Sequence, residues 1–345
     1  MRRITLRRGS ACLLILVATM MTTIVNGQEV VVLGGVEQVM GWLQSENWWG
    51  EENRDEQLTV PHAMITGINP RWRTTSQKLP VPQKKEIFYR FMLPLVLHAN
   101  GMVMERREGL FRMRAALEAG EDQTEADMQA LREGAVLLRI AKKEEAAALS
   151  SSSENLAAVI DEAIYKLDII PAGLALGQAA YESGYGTSRF AVEGNALFGQ
   201  WTYGGKGLVP EQQRKSLGDH RIAAFDWPFD SVRGYFINLM SHPAYEDFRR
   251  LRAQLRAAGE PLTSMVLADG LIKYSERGQE YVDTLKGIMR VNRLTIADDA
   301  VFRDEPMRFI VGAEDEPAAV ELRKEVERLR ASGELAQIVE RMRLE

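Results

Sequence analysis

Apolar residues recur at helical intervals along most of the chain after residue 80. One series predicts a helix that Pro94 should kink, because proline lacks the N–H that a helix needs. A second series predicts an amphipathic helix capped by Ser153 or Asn155. Pro171 opens a further helix of small and apolar residues, which Gly184 ends. The members of the first two series are Ile87, Phe88, Phe91, Met92 and Leu95, then Leu156, Val159, Ile160, Ala163, Ile164 and Leu167.

Three stretches lack this pattern. Residues 28–77 and 296–316 predict irregular structure, and the glycine-rich, aromatic stretch 194–226 predicts a loop or a small hairpin. The serine run Ser150–Ser153 is typical of a linker. The predicted fold is therefore mainly α with one small non-helical insert. Its parts are an N-terminal helical region (28–153), a helical domain (154–295) and a C-terminal helical tail (296–345).

The first 27 residues have a character of their own. Four arginines among the first eight residues precede a short apolar run, Ala11–Val25. A cationic start and a short apolar core are typical of a secretory signal, with Val25 and Gly27 at the −3 and −1 positions of a cut before Gln28. We expect export, with the periplasm preferred because the sequence has no wall-binding repeats. The alternative is an uncleaved segment that anchors the chain in a membrane.

The charge and the cysteine and histidine content of the chain argue against two classes of ligand, nucleic acid and metal ions. The 345 residues include 43 Lys and Arg against 48 Asp and Glu, a net charge of −5. Nucleic acid is not expected as a partner, because tracking its backbone requires a basic surface. The sequence predicts no metal site, because it has only one cysteine, Cys12, and its four histidines lack the spacing of metal ligands.

Two further features predict no catalytic chemistry. The segment Gly204–Gly207 contains a lysine among glycines, but it lacks the spacing and the Ser or Thr of a phosphate-binding loop, so no nucleotide is expected. A basic stretch predicts a solvated helix face, which could contact acidic stem peptides or lipid headgroups of the cell envelope. Its members are Arg249, Arg250, Arg252 and Arg256.

Glu182 is the strongest candidate for chemistry. It lies at the end of the small-residue helix that follows Pro171, where both the helix dipole and burial disfavour a charged carboxylate. Both effects predict a raised pKa, which suits a general acid. The alternative is a structural glutamate bonded to nearby backbone amides.

The residues after Glu182 favour a sugar ligand. Glycines at 184 and 186 predict a tight turn that lets the backbone approach a ligand. Asn195, Trp201 and Tyr203 combine an amide with aromatic rings, which suit the hydroxyls and C–H faces of a sugar. Composition alone favours core packing for Phe198.

The segment LALGQAAYESGYGTSRFAVEGNALFGQW resembles the signature of the endo-β-N-acetylglucosaminidase domain that cleaves bacterial peptidoglycan, above all its Bax-type members. The resemblance continues through GKGLVPEQQR, FDSVRGYFINLMSHPAYEDFR and YSERGQEYVDTLKGIM, and more weakly through the upstream segments LTVPHAM and KKEIFYRFMLPLVLHANGMVMERR. It covers about residues 58–295. It implies a lysozyme-like helical domain with a small β-lobe, acting on peptidoglycan glycan strands without a cofactor.

The resemblance also implies roles for single residues. Glu182 matches the general acid, and Tyr274 and Tyr281 match tyrosines near the reactive sugar, although the two could equally be core residues. The residues assigned to substrate binding are Gln178, Asn195, Phe198, Trp201 and Tyr203.

The second catalytic group is left open. Glu211 is the favoured carboxylate of the lobe and its edge, which otherwise contain Glu193, Asp219 and Asp226, but none lies in a recognisable motif. The alternative is attack by the sugar's own 2-acetamido group. Two other functions stay open: a lytic transglycosylase, which also uses a single glutamate, and a wall-binding scaffold without activity.

Overall fold

The computed structural model describes residues 22–25, 28–49, 57–202, 207–209 and 221–337. These residues form many helices and three small sheets, which confirms the predicted mainly α fold with a small β-lobe. The α-helices are α1 Gly35–Ser45, α2 Trp72–Thr75, α3 Val81–Glu118, α4 Glu125–Leu137, α5 Lys143–Ala147, α6 Leu156–Lys166, α7 Ala172–Ser183, α8 Arg189–Gly194, α9 Pro228–Ser241, α10 Glu246–Ala258, α11 Ser264–Leu267, α12 Gln279–Val291 and α13 Glu316–Ala331. The strands are β1 Thr22–Val25, β2 Gln28–Gly34, β3 Thr59–Val60, β4 Ala63–Ile65, β5 Trp201–Thr202, β6 Gly207–Leu208, β7 Arg221–Ala223, β8 Val301–Phe302 and β9 Arg308–Ala313.

Helix α3 is a single helix of 38 residues that contains Pro94. Pro94 and its neighbours Leu93 and Leu95 are buried, so packing stabilises the helix where the proline removes a hydrogen bond. By length and apolar character α3 could cross a membrane, but 56% of its most apolar window is buried inside the protein. It is the central helix against which α6, α7 and α9 pack.

The two ends of the described chain meet in one sheet. Its strand order is β1-β2-β9-β4, with β9 parallel to both β2 and β4. Helix α13 packs on β2 and β9. Strands β2, β4 and β9 lie in stretches that the sequence predicts to be irregular, and β1 lies in the predicted signal segment. The apolar run Val30–Leu33 is typical of a parallel strand buried on both faces, and all four of its side chains are buried.

Helix α7 lies in the core, in contact with α3, α11 and α12. Ten of its twelve residues are buried. Its glycines permit close packing, because a Cβ at Gly173 would lie 2.5 Å from the carbonyl oxygen of Leu294 and one at Gly177 would lie 3.1 Å from Met289 Cγ. The helix is therefore held on several sides, and the residues at its end are fixed in space.

The β-lobe follows α8 and is antiparallel. Its strand order is β5-β7-β6, with Trp201 paired to Ile222 and Leu208 also paired to Ile222 on the other side. The lobe is joined to the helical part through Gln200, whose side chain both donates to the backbone of Ser231 and accepts from its hydroxyl.

The predicted solvated face of α10 is wrong for two of its four arginines. Arg249 and Arg252 are only 2% and 1% exposed. Arg249 donates to the carbonyl oxygens of Leu239 and His242, and Arg252 donates to those of Lys166 and Asp168. Carbonyl groups at helix ends lack partners within their helix, and the buried guanidinium groups supply them.

Candidate active site

Glu182 is the penultimate residue of α7, which ends because Gly184 adopts the left-handed conformation at φ 59°. Tyr185 and Gly186 also have positive φ, so the chain turns sharply directly after the helix. The Ser183 hydroxyl braces this turn by donating to the carbonyl of Ala179 and accepting from the N–H of Gly186. The predicted tight turn is present, and it fixes the position of Glu182.

The turn is also held from the N-terminal region of the chain. The indole N–H of Trp72 donates to the carbonyl oxygen of Tyr185 at 2.9 Å. A Cβ at Gly186 would lie 3.4 Å from both that indole nitrogen and the ring of Phe88. Residues well upstream of the helical domain therefore support the segment that carries Glu182.

The carboxyl group of Glu182 lies half-buried among tyrosines. Burial raises its pKa above the ordinary value, and a hydrogen bond from the Tyr281 hydroxyl partly offsets that effect. The bond joins Tyr281 Oη to Glu182 Oε1 at 2.9 Å. The direction of the shift is the one the sequence predicts, and burial is its main cause.

Tyr274 and Tyr281 lie together beside Glu182. Their rings stack 5.5 Å apart at an interplanar angle of 7°. The Tyr274 hydroxyl donates to the carbonyl oxygen of Phe198 at 3.1 Å. Burial and the negative charge of Glu182 raise the pKa of Tyr281 far above its ordinary value, so its phenol stays a hydrogen-bond donor. The structure thus brings both tyrosines to the carboxyl group.

Three of the residues assigned to substrate binding already have partners within the protein. Gln178 is fully buried and bonds to two tyrosines, Tyr281 and Tyr235. Phe198 is 2% exposed and stacks on Tyr235 with ring centroids 4.0 Å apart. Asn195 accepts from the N–H of Ile68 and donates to carbonyl oxygens beyond the lobe. Their roles toward a substrate stay predictions.

Among the assigned residues that the structure describes, Trp201 is the one whose ring faces solvent. It lies on β5 and is 50% exposed, so its indole can stack on a sugar. Tyr203, Glu211 and Asp219 lie outside the described residues. Among the described residues, no group of three or more His, Cys, Asp and Glu side chains could hold a metal ion.

Sequence reasoning missed three residues of this site. Tyr235 of α9 is completely buried behind Gln178, and Tyr181 is 37% exposed with its ring 5.6 Å from that of Tyr281. Gly199 has φ 62°, and a Cβ there would lie 3.6 Å from Glu182 Oε2. The residue types gave no signal, since a tyrosine on an amphipathic helix and a glycine in a turn are both common.

Two comparisons with known proteins found sequences similar to part of this chain. Residues 157–294 match the family described as glucosaminidase, mannosyl-glycoprotein endo-beta-N-acetylglucosaminidase. Protein bax of Escherichia coli (strain K12) is 36% identical over 132 residues, which are 38% of this chain and 46% of that protein. The chain thus spans less than half the length of this curated relative. No solved structure matches the chain.

These matches confirm the resemblance found in the sequence. The matched segment contains Glu182, Tyr274 and Tyr281, together with every residue assigned to substrate binding. The description of the matched family is that of a glycosidase.

Proposed function

Because residues 157–294 carry a glucosaminidase domain, we propose that this protein hydrolyses the β-1,4 bond after N-acetylglucosamine in peptidoglycan. Glu182 acts as the general acid that protonates the leaving oxygen. The observation that carries the proposal is the half-buried carboxyl group with a raised pKa, bonded to Tyr281. A carboxyl group with a raised pKa keeps its proton to a higher pH and can give it to the leaving oxygen.

The exposed aromatic side chains support a glycan as the ligand. Trp201 offers a half-exposed indole on the lobe, and Tyr181 offers a partly exposed ring directly before Glu182. Arg277 donates a hydrogen bond to the Tyr181 hydroxyl and so holds that ring in place. Exposed aromatic faces suit a sugar chain that stacks on them while one of its bonds is protonated.

After protonation, we propose that the sugar's 2-acetamido group attacks the anomeric carbon. The support for this route is that no acidic residue of the lobe or its edge lies in a recognisable motif. This route predicts strong inhibition by a thiazoline mimic of the oxazolinium intermediate, because the site would already fit that ring. A nearly inactive Glu211→Gln variant, with a wild type that ignores the thiazoline, would instead assign a lobe carboxylate.

Export to the periplasm is also part of the proposal. Its support is the arginine-rich start and the apolar run Ala11–Val25. A cut before Gln28 removes β1 but leaves β2 paired with β9, so the sheet persists. N-terminal sequencing of the protein from fractionated cells tests this point. Gln28 at the start of a periplasmic protein supports export, and an intact Met1 in the membrane fraction indicates an anchor.

Digestion of purified sacculi tests the main proposal. Wild type should release fragments with reducing N-acetylglucosamine ends, identified by mass spectrometry. Glu182→Gln keeps the shape but removes the proton, so release should fall by at least about 10²–10⁴-fold while sacculi still bind. Glu162→Gln, at a partly exposed position in α6, is the matched control and should keep full activity.

Each other outcome identifies a rival. Anhydromuramyl products indicate a lytic transglycosylase, and binding of sacculi without any release of sugar indicates a scaffold. A Glu182→Gln variant within a few-fold of wild type contradicts the role of Glu182.

A further inference from the structure

A chain of three buried side chains leads away from Glu182 into the core. Tyr281 Oη is 2.9 Å from Glu182 Oε1, Gln178 Nε2 is 3.0 Å from Tyr281 Oη, and Tyr235 Oη is 2.5 Å from Gln178 Oε1. Gln178 and Tyr235 are fully buried, and Tyr281 is 1% exposed. The three residues come from α7, α9 and α12, so the chain depends on the packing of three helices.

With the Gln178 amide oriented as in the structure, these groups bond in one direction along the chain. The Gln178 carbonyl can only accept, so the Tyr235 hydroxyl donates to it. The Gln178 amide nitrogen can only donate, so it gives a hydrogen bond to the Tyr281 oxygen. The one proton of the Tyr281 hydroxyl is then left for Glu182 Oε1. Each link therefore fixes the next.

This direction determines which oxygen of Glu182 can carry a proton. The carbonyl oxygen of a carboxylic acid accepts a hydrogen bond better than its hydroxyl oxygen does, so the bond from Tyr281 favours Oε1 as the carbonyl oxygen and leaves the proton to Oε2. The other oxygen, Oε2, faces Gly199, where no side chain blocks it and a Cβ would lie only 3.6 Å away. The protonated acid thus has its proton on Oε2.

We propose that Gln178 and Tyr235 are positioning residues that place the transferable proton of Glu182 on Oε2. The inference rests on the proposed role of Glu182 as the acid and adds the hydrogen-bonded residues that orient its proton. Packing keeps these hydrogen-bonded residues rigid, because the Tyr235 ring stacks on Phe198 and the Tyr281 ring stacks on Tyr274. Such preorganisation means that little needs to move when the sugar arrives.

The test measures the titration of Glu182 in the resting protein. Glutamate labelled with ¹³C at the carboxyl carbon is followed by NMR against pH, and the Glu182 signal is assigned by its loss in Glu182→Gln. Tyr281→Phe removes the donor to the carboxylate, so the pKa of Glu182 should rise further. Gln178→Met should shift it in the same direction, because the Tyr281 hydroxyl loses the hydrogen bond that polarises it and stabilises the carboxylate less.

Tyr235→Phe gives a milder variant that keeps Gln178 in place. It frees the amide to reverse, so the same upward shift should appear but be smaller than in Gln178→Met. The matched control is Tyr245→Phe, which removes another buried phenol from the same aromatic cluster but not from the chain. This control should titrate like wild type. Release of sugar in Gln178→Met should fall about 2- to 10-fold, the range of one net hydrogen bond.

Two results would overturn the proposal. One is a Glu182 titration unchanged in both Gln178→Met and Tyr235→Phe, and the other is a shift in Tyr245→Phe as large as that in Tyr235→Phe. The NMR titration needs no substrate. If the protein fails to cut glycans, the proposed function is contradicted. The role of Gln178 and Tyr235 is still decided by the shifts in the pKa of Glu182.

Discussion

Two opposed influences act on the carboxyl group of Glu182. Burial among tyrosines disfavours the charged form, and the hydrogen bond from Tyr281 favours it. Burial is the larger influence, so the folded protein holds this proton at a higher pH than a free glutamate does. The tyrosine thereby limits the shift and also fixes the orientation of the carboxyl group.

The rate of sugar release should therefore have an alkaline limb set by Glu182. The active form is protonated, so kcat/KM should be high below the raised pKa and fall as the pH rises through it. Measuring release from sacculi across the pH range checks this, with thermal unfolding over the same range as the control for loss of fold. A profile that stays flat from about pH 5 to 9 would mean that another group limits the reaction.

Glu182 and Gln178 differ in how far their roles could be predicted from the sequence. Glu182 could be predicted, because its helix consists of small and apolar residues and its motif is specific. The partnership of Gln178 with Tyr235 could not, since it depends on how α7 and α9 pack. The sequence assigned Gln178 to the substrate on resemblance, while the structure places it behind Tyr281, fully buried.

At the scale of elements, helix α7 acts as the fixed support of the site. Gly173 lies in its first turn against Leu294, and Glu182 lies in its last turn. The N–H of Gly173 donates to Asp298, which also accepts from the backbone and hydroxyl of Ser264. The start of the helix is thereby tied to the segments that flank α12, and a shift at this end would move the other end.

The substitution of glycine by alanine should have opposite effects in two helices. In Gly173→Ala the new methyl group would meet backbone atoms of Leu294 at 2.5 and 2.9 Å, so the free energy of unfolding should fall by about 1–3 kcal/mol. In Gly134→Ala, inside α4, nothing lies within 4 Å, and better helix propensity should raise it by about 0.5–1 kcal/mol. Urea denaturation measures both.

Activity separates the two variants further. Gly173→Ala should lose sugar release beyond its loss of stability, because α7 carries Glu182, whereas Gly134→Ala should not. Equal stability changes in the two variants would contradict the close packing of α7.

Helices and strands differed in how well the sequence predicted them. Periodicity predicted the helices around residues 87–95, 156–167 and 172–183, because each buries one face or all faces locally. The same periodicity missed β2 and β9, since they pair with each other from opposite ends of the described chain. A short apolar run such as Val30–Leu33 has no period of its own, and its partner cannot be found from local pattern.

At the scale of the whole molecule, distant parts of the chain hold one another. β9 lies between β2 and β4, so residues after 300 complete a sheet that begins before residue 35. Asn195 joins the lobe to the segment at Ile68, and Trp72 supports the turn after Glu182. The family match begins at residue 157, but residues that precede it form hydrogen bonds to the described site.

Asp168 also joins distant parts of the chain, through ion pairs and hydrogen bonds with arginines of two helices. It lies between α6 and α7 with its side chain 3% exposed, and it accepts two hydrogen bonds from Arg256. Arg107 of α3 lies 3.7 Å away, and the guanidinium of Arg252 bonds to the backbone of Asp168. Burial raises the pKa of Asp168, but the bonds from Arg256 and the charges of Arg252 and Arg107 together lower it below the ordinary value.

Asp168→Asn should therefore destabilise the whole fold. The variant keeps the shape but leaves the arginines without their counter-charge, so the free energy of unfolding should fall by about 3–5 kcal/mol, as when one partner of a buried ion pair is removed. The control Asp161→Asn breaks the exposed pair with Arg114 and should cost about 0–1 kcal/mol.

The difference between wild type and Asp168→Asn should depend on pH in a defined sense. Because the pKa of Asp168 is lowered by folding, its contribution to stability is complete above the pKa of an unfolded aspartate. That contribution is lost as the pH falls through the folded pKa, where wild type also becomes neutral at this position. Urea denaturation should thus give a wide gap between the two proteins at neutral pH and a narrowing gap in acid. A gap that stays constant into acid would mean that the shape of the side chain, rather than its charge, holds α3 and α10 to the segment between α6 and α7.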